Sequence, residues 1–103
     1  MKIIKRLSEM IDDELDGACE YAKCAVKYKV EYPELAETFY KLSGEEMGHM
    51  QILHDRVTAL IKKEREEHGE PPANMLAVYD YIHEKQIERA NHVRYYQAAY
   101  KES

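Results

Sequence analysis

The spacing of the apolar residues constrains this chain most, because it is a helical spacing over almost the whole length. Apolar side chains recur at alternating steps of three and four residues, as they do on one face of an α-helix. The pattern stops at Pro33, which fits the first turn of a helix but not its interior, and again at residues 69–72, which contain a glycine and two prolines. The sequence therefore predicts an all-α fold of three long helices, at about residues 2–30, 34–67 and 73–101.

The lengths of the helices and of their connections limit the arrangement. Each helix is about 45 Å long at 1.5 Å per residue, whereas residues 68–72 span at most about 18 Å when extended. The third helix must therefore return antiparallel to the second. We expect one domain over residues 1–103 with a modest core. The third helix has only a weak apolar stripe, so we expect it to pack outside the hairpin of the first two helices or across a subunit boundary.

The apolar face of each of the first two helices, its seam, carries charged residues at its centre. The seam of the first helix consists of Ile4, Leu7, Ile11, Glu14, Ala18, Tyr21, Ala25 and Tyr28. The seam of the second consists of Phe39, Leu42, Glu46, His49, Leu53, Arg56 and Leu60. A carboxylate in an apolar seam costs on the order of several kcal/mol unless it is neutralised, paired or bound to a cation. These acids therefore require a partner.

The register of the first hairpin identifies which residues meet. Folding about residue 31 places at one level those residues whose numbers add to about 62, so Glu14 faces Glu46 and His49. Residues three apart project from the same side of a helix, so Glu46 and His49 can converge on one metal ion. The predicted metal ligands are Glu14, Glu46 and His49. Glu20 is the second choice from the first helix, because it falls on the outward side of the seam.

Residues 31–39 (EYPELAETF) and 42–49 (LSGEEMGH) resemble the second helix of the ferritin-like superfamily, in particular its rubrerythrin branch. The resemblance covers about residues 4–60. In that family a glutamate of the first helix precedes the Glu-x-x-His pair by the separation that Glu14 has from Glu46. The resemblance implies a di-iron or di-manganese carboxylate centre, with Glu14, Glu46 and His49 as the ligands of one half.

The chain departs from that family in its second half. A ferritin-like subunit has four helices and a second Glu and Glu-x-x-His set, which this sequence does not supply. A two-fold dimer of the first hairpin would provide four carboxylates and two imidazoles, the ligand set of di-iron carboxylate bundles. We therefore expect a ferritin-like four-helix bundle formed by dimerisation, with two iron or manganese ions per dimer. The oligomer is expected to be a dimer or a higher even-numbered assembly.

The histidines of the third helix leave an alternative open. If the second and third helices form a hairpin, residues whose numbers add to about 142 are level, which brings His92 near Glu46 and His49. A mononuclear site of these residues with Glu14 then competes with the shared centre. Asp80 and His83 form a second acid-x-x-His pair. Two further histidines, His54 and His68, lack a seam position and are expected in solvent.

Composition excludes several classes of partner. The net charge is −5, with 20 acidic and 15 basic residues, and no basic stripe is present, so nucleic acid is not an expected partner. Neither a signal peptide nor a membrane span is recognisable, which predicts a cytoplasmic protein without membrane contact. Cys19 and Cys24 are expected to be reduced thiols.

Two functions remain at this point. Carboxylate and imidazole ligands suit iron(II), manganese(II) or zinc, and oxidation of iron(II) by O2 or peroxide is the activity expected of an iron centre. The first function is thus a ferritin-like metal protein with ferroxidase or peroxidase activity. The alternative is a metal-free helical-bundle assembly or adaptor protein, whose inward acids pair with Arg56 or with a partner. The sequence assigns neither a catalytic residue nor an organic cofactor.

Overall fold

Three helices account for nearly all of the chain. The computed structural model describes residues 2–103, in which α1 spans Lys2–Tyr28, α2 spans Pro33–His68 and α3 spans Ala73–Glu102. The described residues contain no β-strand, so the all-α prediction is confirmed. The observed helix ends lie within about two residues of the predicted ends, and the largest difference is at the end of α1.

The breaks between the helices have local causes. Pro33 is the first residue of α2, where its missing N–H is not needed for an intrahelical hydrogen bond. The backbone N–H of Tyr32 donates to the carbonyl of Tyr28 at 2.8 Å and closes the first turn. Gly69 ends α2 with a φ of 77°, a left-handed conformation that glycine adopts without a Cβ clash. Its N–H donates to the carbonyl of Arg65 at 2.9 Å.

The helices alternate in direction, so α1 and α3 run parallel to each other and antiparallel to α2. Ser43 of α2 ties all three together: its hydroxyl donates to the carbonyl of Ala18 at 2.7 Å and accepts from Gln97 Nε2 at 3.0 Å. Small buried side chains, Ala18, Ala22 and Ala36 among them, let the helix backbones approach closely. The molecule is elongated, with extents of 55 × 18 × 18 Å.

The buried stripe of α1 is shifted from the predicted seam. The central core consists of Ile11, Leu15, Met50 and Ala90, and Leu15 was not on the predicted seam. Glu14 was on the predicted seam but is only half-buried. The reason is the position of α3, because the most buried face of α1 is directed between α2 and α3 instead of towards α2 alone.

Polar contacts fix α3 along α1. Arg89 donates to Asp12 Oδ1 at 2.9 Å and to the Asp12 carbonyl at 3.1 Å, and it also pairs with Asp16. Gln86 Nε2 lies 3.3 Å from the carbonyl of Ser8. The third helix therefore packs against the hairpin of the same chain. These hydrogen bonds and ion pairs supplement its weak apolar stripe.

None of the helices within residues 2–103 combines the length and the apolar character that crossing a membrane requires.

Candidate metal centre

Glu14 of α1 and Glu46 and His49 of α2 form one group. Each offers one ligand atom, and these atoms lie within 4.8 Å of one another. His49 Nδ1 is 3.3 Å from Glu14 Oε2 and 3.8 Å from Glu46 Oε1. The short turn between the helices sets this register, and the three residues meet as the sequence predicts. Their role as metal ligands remains a prediction.

The group lies at an edge of the α1–α2 interface rather than deep in the core. The side chains of Glu14 and Glu46 are 25% and 27% exposed, and that of His49 is 57% exposed. Asp12 and Asp16, which contact α3, are each two residues from Glu14 and so project about 160° away from it. The site therefore faces away from α3, on a side of the hairpin that the chain itself leaves open.

The two carboxyl groups are in electrostatic conflict. A hydrogen bond with the Glu14 carboxyl raises the pKa of Glu46 above its ordinary value of 4.5, and burial and the negative charge of Glu14 raise it further. His49 acts in the opposite direction. Glu14 Oε2 is enclosed and has no hydrogen-bond partner among the described residues, although His49 Nδ1 is near. The group thus retains an unsatisfied acceptor and a deficit of positive charge.

Gly17 is a residue of this site that sequence reasoning missed. A Cβ added to Gly17 would lie 3.2 Å from Glu46 Oε2, whereas a Cβ at Gly44 or at Gly48 would meet nothing within 4 Å. Gly17 therefore makes room on α1 for the Glu46 carboxylate. The available signal was a glycine in the interior of α1, three residues after Glu14, where glycine is costly for a helix.

The two second-choice ligands lie outside the group. Glu20 is exposed, and its Oε1 is 3.9 Å from the thiol sulfur of Cys24. His92 is also exposed, and its ring contacts that of Tyr96 of the same helix in a tilted arrangement, with centroids 5.1 Å apart. The ammonium of Lys23 lies over Tyr96, which places this pair beside α1 on the flank where α3 packs.

A second acidic and histidine group occurs at the end of α2. Glu64, Glu67 and His68 also bring ligand atoms within 4.8 Å of one another. All three come from the last turns of one helix, and the side chain of His68 is 70% exposed. Exposed ion pairs of this kind are common without a metal and stabilise little, and a histidine at a helix C-terminus is already favoured by the helix dipole.

The ligand types at the first group fit a divalent transition metal. Two carboxylates and an imidazole suit iron(II), manganese(II) or zinc, and a cation would satisfy the enclosed Glu14 oxygen. Apolar side chains continue the same open face: the Tyr21 ring stacks on Phe39 with centroids 6.1 Å apart, and Leu35 is 45% exposed. One chain supplies three ligand groups and leaves the outer side of the site uncovered.

No protein-family model, curated protein or solved structure matches this chain. The geometry of the site is therefore the basis for its functional interpretation.

Proposed function

We propose that the protein is a ferritin-like metal protein that binds iron or manganese at Glu14, Glu46 and His49. The enclosed Oε2 of Glu14, which accepts no hydrogen bond and lies next to a second carboxyl group and an imidazole, carries the proposal. Leaving a buried polar atom unsatisfied costs about 1–3 kcal/mol, and a bound cation would remove that cost. It would also relieve the repulsion between the two carboxylates.

The proposed centre is shared by two copies of the chain. Three ligand groups on an open face are half of the four-carboxylate, two-imidazole set that holds two metal ions. The neighbouring aromatic and aliphatic side chains of Tyr21, Phe39 and Leu35 give the second copy an apolar surface to bury. A two-fold axis close to Glu46 would complete the set, giving two ions per homodimer or per pair in a larger even-numbered assembly.

The residues of the chain have definite tasks in this proposal. Glu14 and Glu46 supply negative charge, and because the pKa of Glu46 is raised, protons compete more strongly with the metal for this carboxylate as the pH falls. His49 supplies a neutral nitrogen ligand. A bound pair of iron ions would provide the redox chemistry of a ferroxidase or peroxidase.

Metal analysis tests the proposal. Protein produced without a chelator is expected to contain two iron or manganese ions per dimer, and Glu46→Ala and His49→Ala are each expected to lose them. Glu37→Ala removes an exposed acid of α2 and is the matched control, with metal content unchanged. Wild-type protein that takes up neither Fe(II) nor Mn(II) in a titration, with an unchanged melting temperature, would contradict the proposal.

The alternative function is a metal-free helical-bundle assembly or adaptor protein. The ion pairs from His49 to both carboxylates favour it, because an imidazolium can neutralise part of the acid pair without metal. Arg56, the other intramolecular partner considered, is exposed and forms no ion pair with an acid in residues 2–103. A metal-free protein whose self-association is abolished by Phe39→Ser on the open face would support this function over the first.

A further inference from the structure

The first half of α3 packs less tightly than the second half. No residue of α3 from Ala73 to Lys85 is fully buried, and neither is any residue of α2 after Met50. By contrast, the rest of α3 contains the buried residues Gln86, Ala90 and Val93. The three helices therefore leave space between them at the end of the molecule that contains residues 69–72.

That space is a groove of about 1040 Å³ between the hairpin and the first half of α3. It follows α3 from Met75 to Gln86, which is about 16 Å at 1.5 Å per residue. Its apolar lining comes from all three helices and includes Ile4, Ile11, Val57, Ile61, Leu76 and Ile82. Small-molecule sites in proteins have volumes of about 300–1,000 Å³ and mostly apolar walls, so the groove is large enough for such a ligand.

A pair of histidines lies at one end of the groove. The rings of His54 and His83 are nearly parallel, with an interplanar angle of 13° and centroids 5.4 Å apart, and both residues line the groove. His54 is half-buried, so the expectation that it lies in solvent is wrong. The contact could not be predicted from the seam pattern, because it joins two helices whose relative rotation depends on tertiary packing.

The charged residues of the groove favour a ligand of neither sign. Four acids and three bases line it. Of these, Asp12, Glu9 and Arg65 each form an ion pair with a residue outside the groove. The four that remain are two bases and two acids: Lys5, Lys62, Glu66 and Asp80. Because an ionic group in apolar surroundings costs free energy unless it is paired, an uncharged ligand fits this groove best.

The width of the molecule argues against a protein helix as the occupant. Three helices already share a cross-section of 18 × 18 Å, and a helix with its side chains is about 10–12 Å across. The groove lies beneath α3, so a further helix would have to break the hydrogen bonds of α3 with Asp12 and Ser8 of α1. A narrow molecule, such as an alkyl chain, can enter without displacing α3.

We propose that the groove binds an uncharged, elongated apolar small molecule, such as a long-chain alcohol. Asp12 lines the groove, and its side chain projects about 160° away from Glu14 around α1, so the groove and the first site are on opposite flanks of α1. The ligand site is independent of the proposed function, since it shares no residue with Glu14, Glu46 and His49.

An uncharged fluorescent probe, N-phenyl-1-naphthylamine, tests the site in the full-length chain with a metal chelator present. We expect saturable binding of the probe and an increase in the melting temperature, because the bound molecule covers apolar surface of all three helices. 1-Decanol is expected to displace the probe at a lower concentration than decanoate or decyltrimethylammonium. Displacement by either charged compound at a lower concentration than 1-decanol would contradict an uncharged ligand.

Two substitutions fill the groove with a larger ring. Ile61→Trp and Leu76→Trp each replace a half-buried lining residue, and each is expected to remove the saturable binding while keeping the helix content. Ile52→Trp, at a position of α2 that is 64% exposed and outside the groove, is the matched control and should bind the probe like wild type.

Absence of saturable binding in the wild-type protein would overturn the proposal. Binding that is kept in both groove variants, with helical circular dichroism intact, would overturn it too, as would an equal loss in Ile52→Trp. Probe binding that disappears as the protein dimerises at higher concentration would assign the groove to a second copy of the chain and would also refute a small-molecule site.

Discussion

At the scale of single residues, Glu46 determines how the site responds to pH. Its pKa in the folded protein is above the ordinary value of 4.5, chiefly because of the hydrogen bond with Glu14. A raised folded-state pKa gives stability that is fully present below about 4.5 and is lost as the pH rises through the folded-state value. The charged form of Glu46 therefore destabilises the metal-free protein at neutral pH.

We predict that Glu46→Gln makes the metal-free protein more stable than wild type at neutral pH, because glutamine can hydrogen-bond to Glu14 without a second negative charge. The difference should shrink as the pH falls towards about 4.5. Urea unfolding with a chelator present, between about pH 5 and pH 8, measures it. Glu37→Gln, at an exposed position of α2, should follow the wild-type curve. A Glu46→Gln protein that is less stable than wild type at neutral pH would contradict a raised pKa of Glu46 in the folded protein.

Gly17 gives a prediction that separates stability from metal binding. Alanine in a helix interior is favoured over glycine by up to about 1 kcal/mol, but the new Cβ at Gly17 would press on Glu46 Oε2 at 3.2 Å. Because that oxygen ends a flexible side chain, Gly17→Ala should leave the metal-free protein as stable as wild type or more so. It should weaken metal binding through the displaced carboxylate.

Gly44→Ala is the control for this prediction, since its Cβ would meet nothing within 4 Å. It should show a similar gain in the free energy of unfolding and unchanged metal affinity. Equal metal affinities of the two variants, measured by titration with Mn(II), would mean that Gly17 has no part in the site.

At the scale of helices, Ser43 is the polar residue that links all three. It is fully buried, and it donates to Ala18 of α1 while accepting from Gln97 of α3. We predict that Ser43→Ala lowers the free energy of unfolding by about 1–3 kcal/mol, because buried partners lose their hydrogen bonds. Thr38→Ala removes an exposed hydroxyl bonded only within α2 and should change stability by less than about 0.5 kcal/mol. Similar losses in the two variants, by urea unfolding, would contradict the linking role.

At the scale of the whole molecule, the proposed shared centre would couple metal binding to association of two copies. If the second copy completes the site, metal must favour the dimer by the same factor by which dimerisation favours metal. We predict that Fe(II) or Mn(II) shifts wild-type protein towards dimers in sedimentation velocity, and that Glu14→Ala abolishes the shift. Metal binding by a protein that stays monomeric at every metal concentration would place the site within one chain.

A feature of the fold could be predicted from the sequence when it depends on residues that are close together in the chain. Pro33 and Gly69 end or begin helices through their own backbone restrictions, so the helix boundaries could be read directly. The meeting of Glu14 with Glu46 could also be predicted, because a short turn between two straight helices fixes which residues of the two helices lie side by side. The burial of Leu15 in place of Glu14 could not be predicted, since it depends on which flank of α1 packs against α3.

The sequence by itself determined three helices, their directions and the level at which two acids and a histidine meet, because helix periodicity and short connections are local properties of the chain. Only the tertiary structure decided which flank of each helix is covered. Arg89 and Gln86 hold α3 on one side of α1, which leaves the Glu14 face open and brings His54 onto His83. That choice depends on side-chain contacts between residues more than 70 positions apart on α1 and α3, which a helical repeat does not encode.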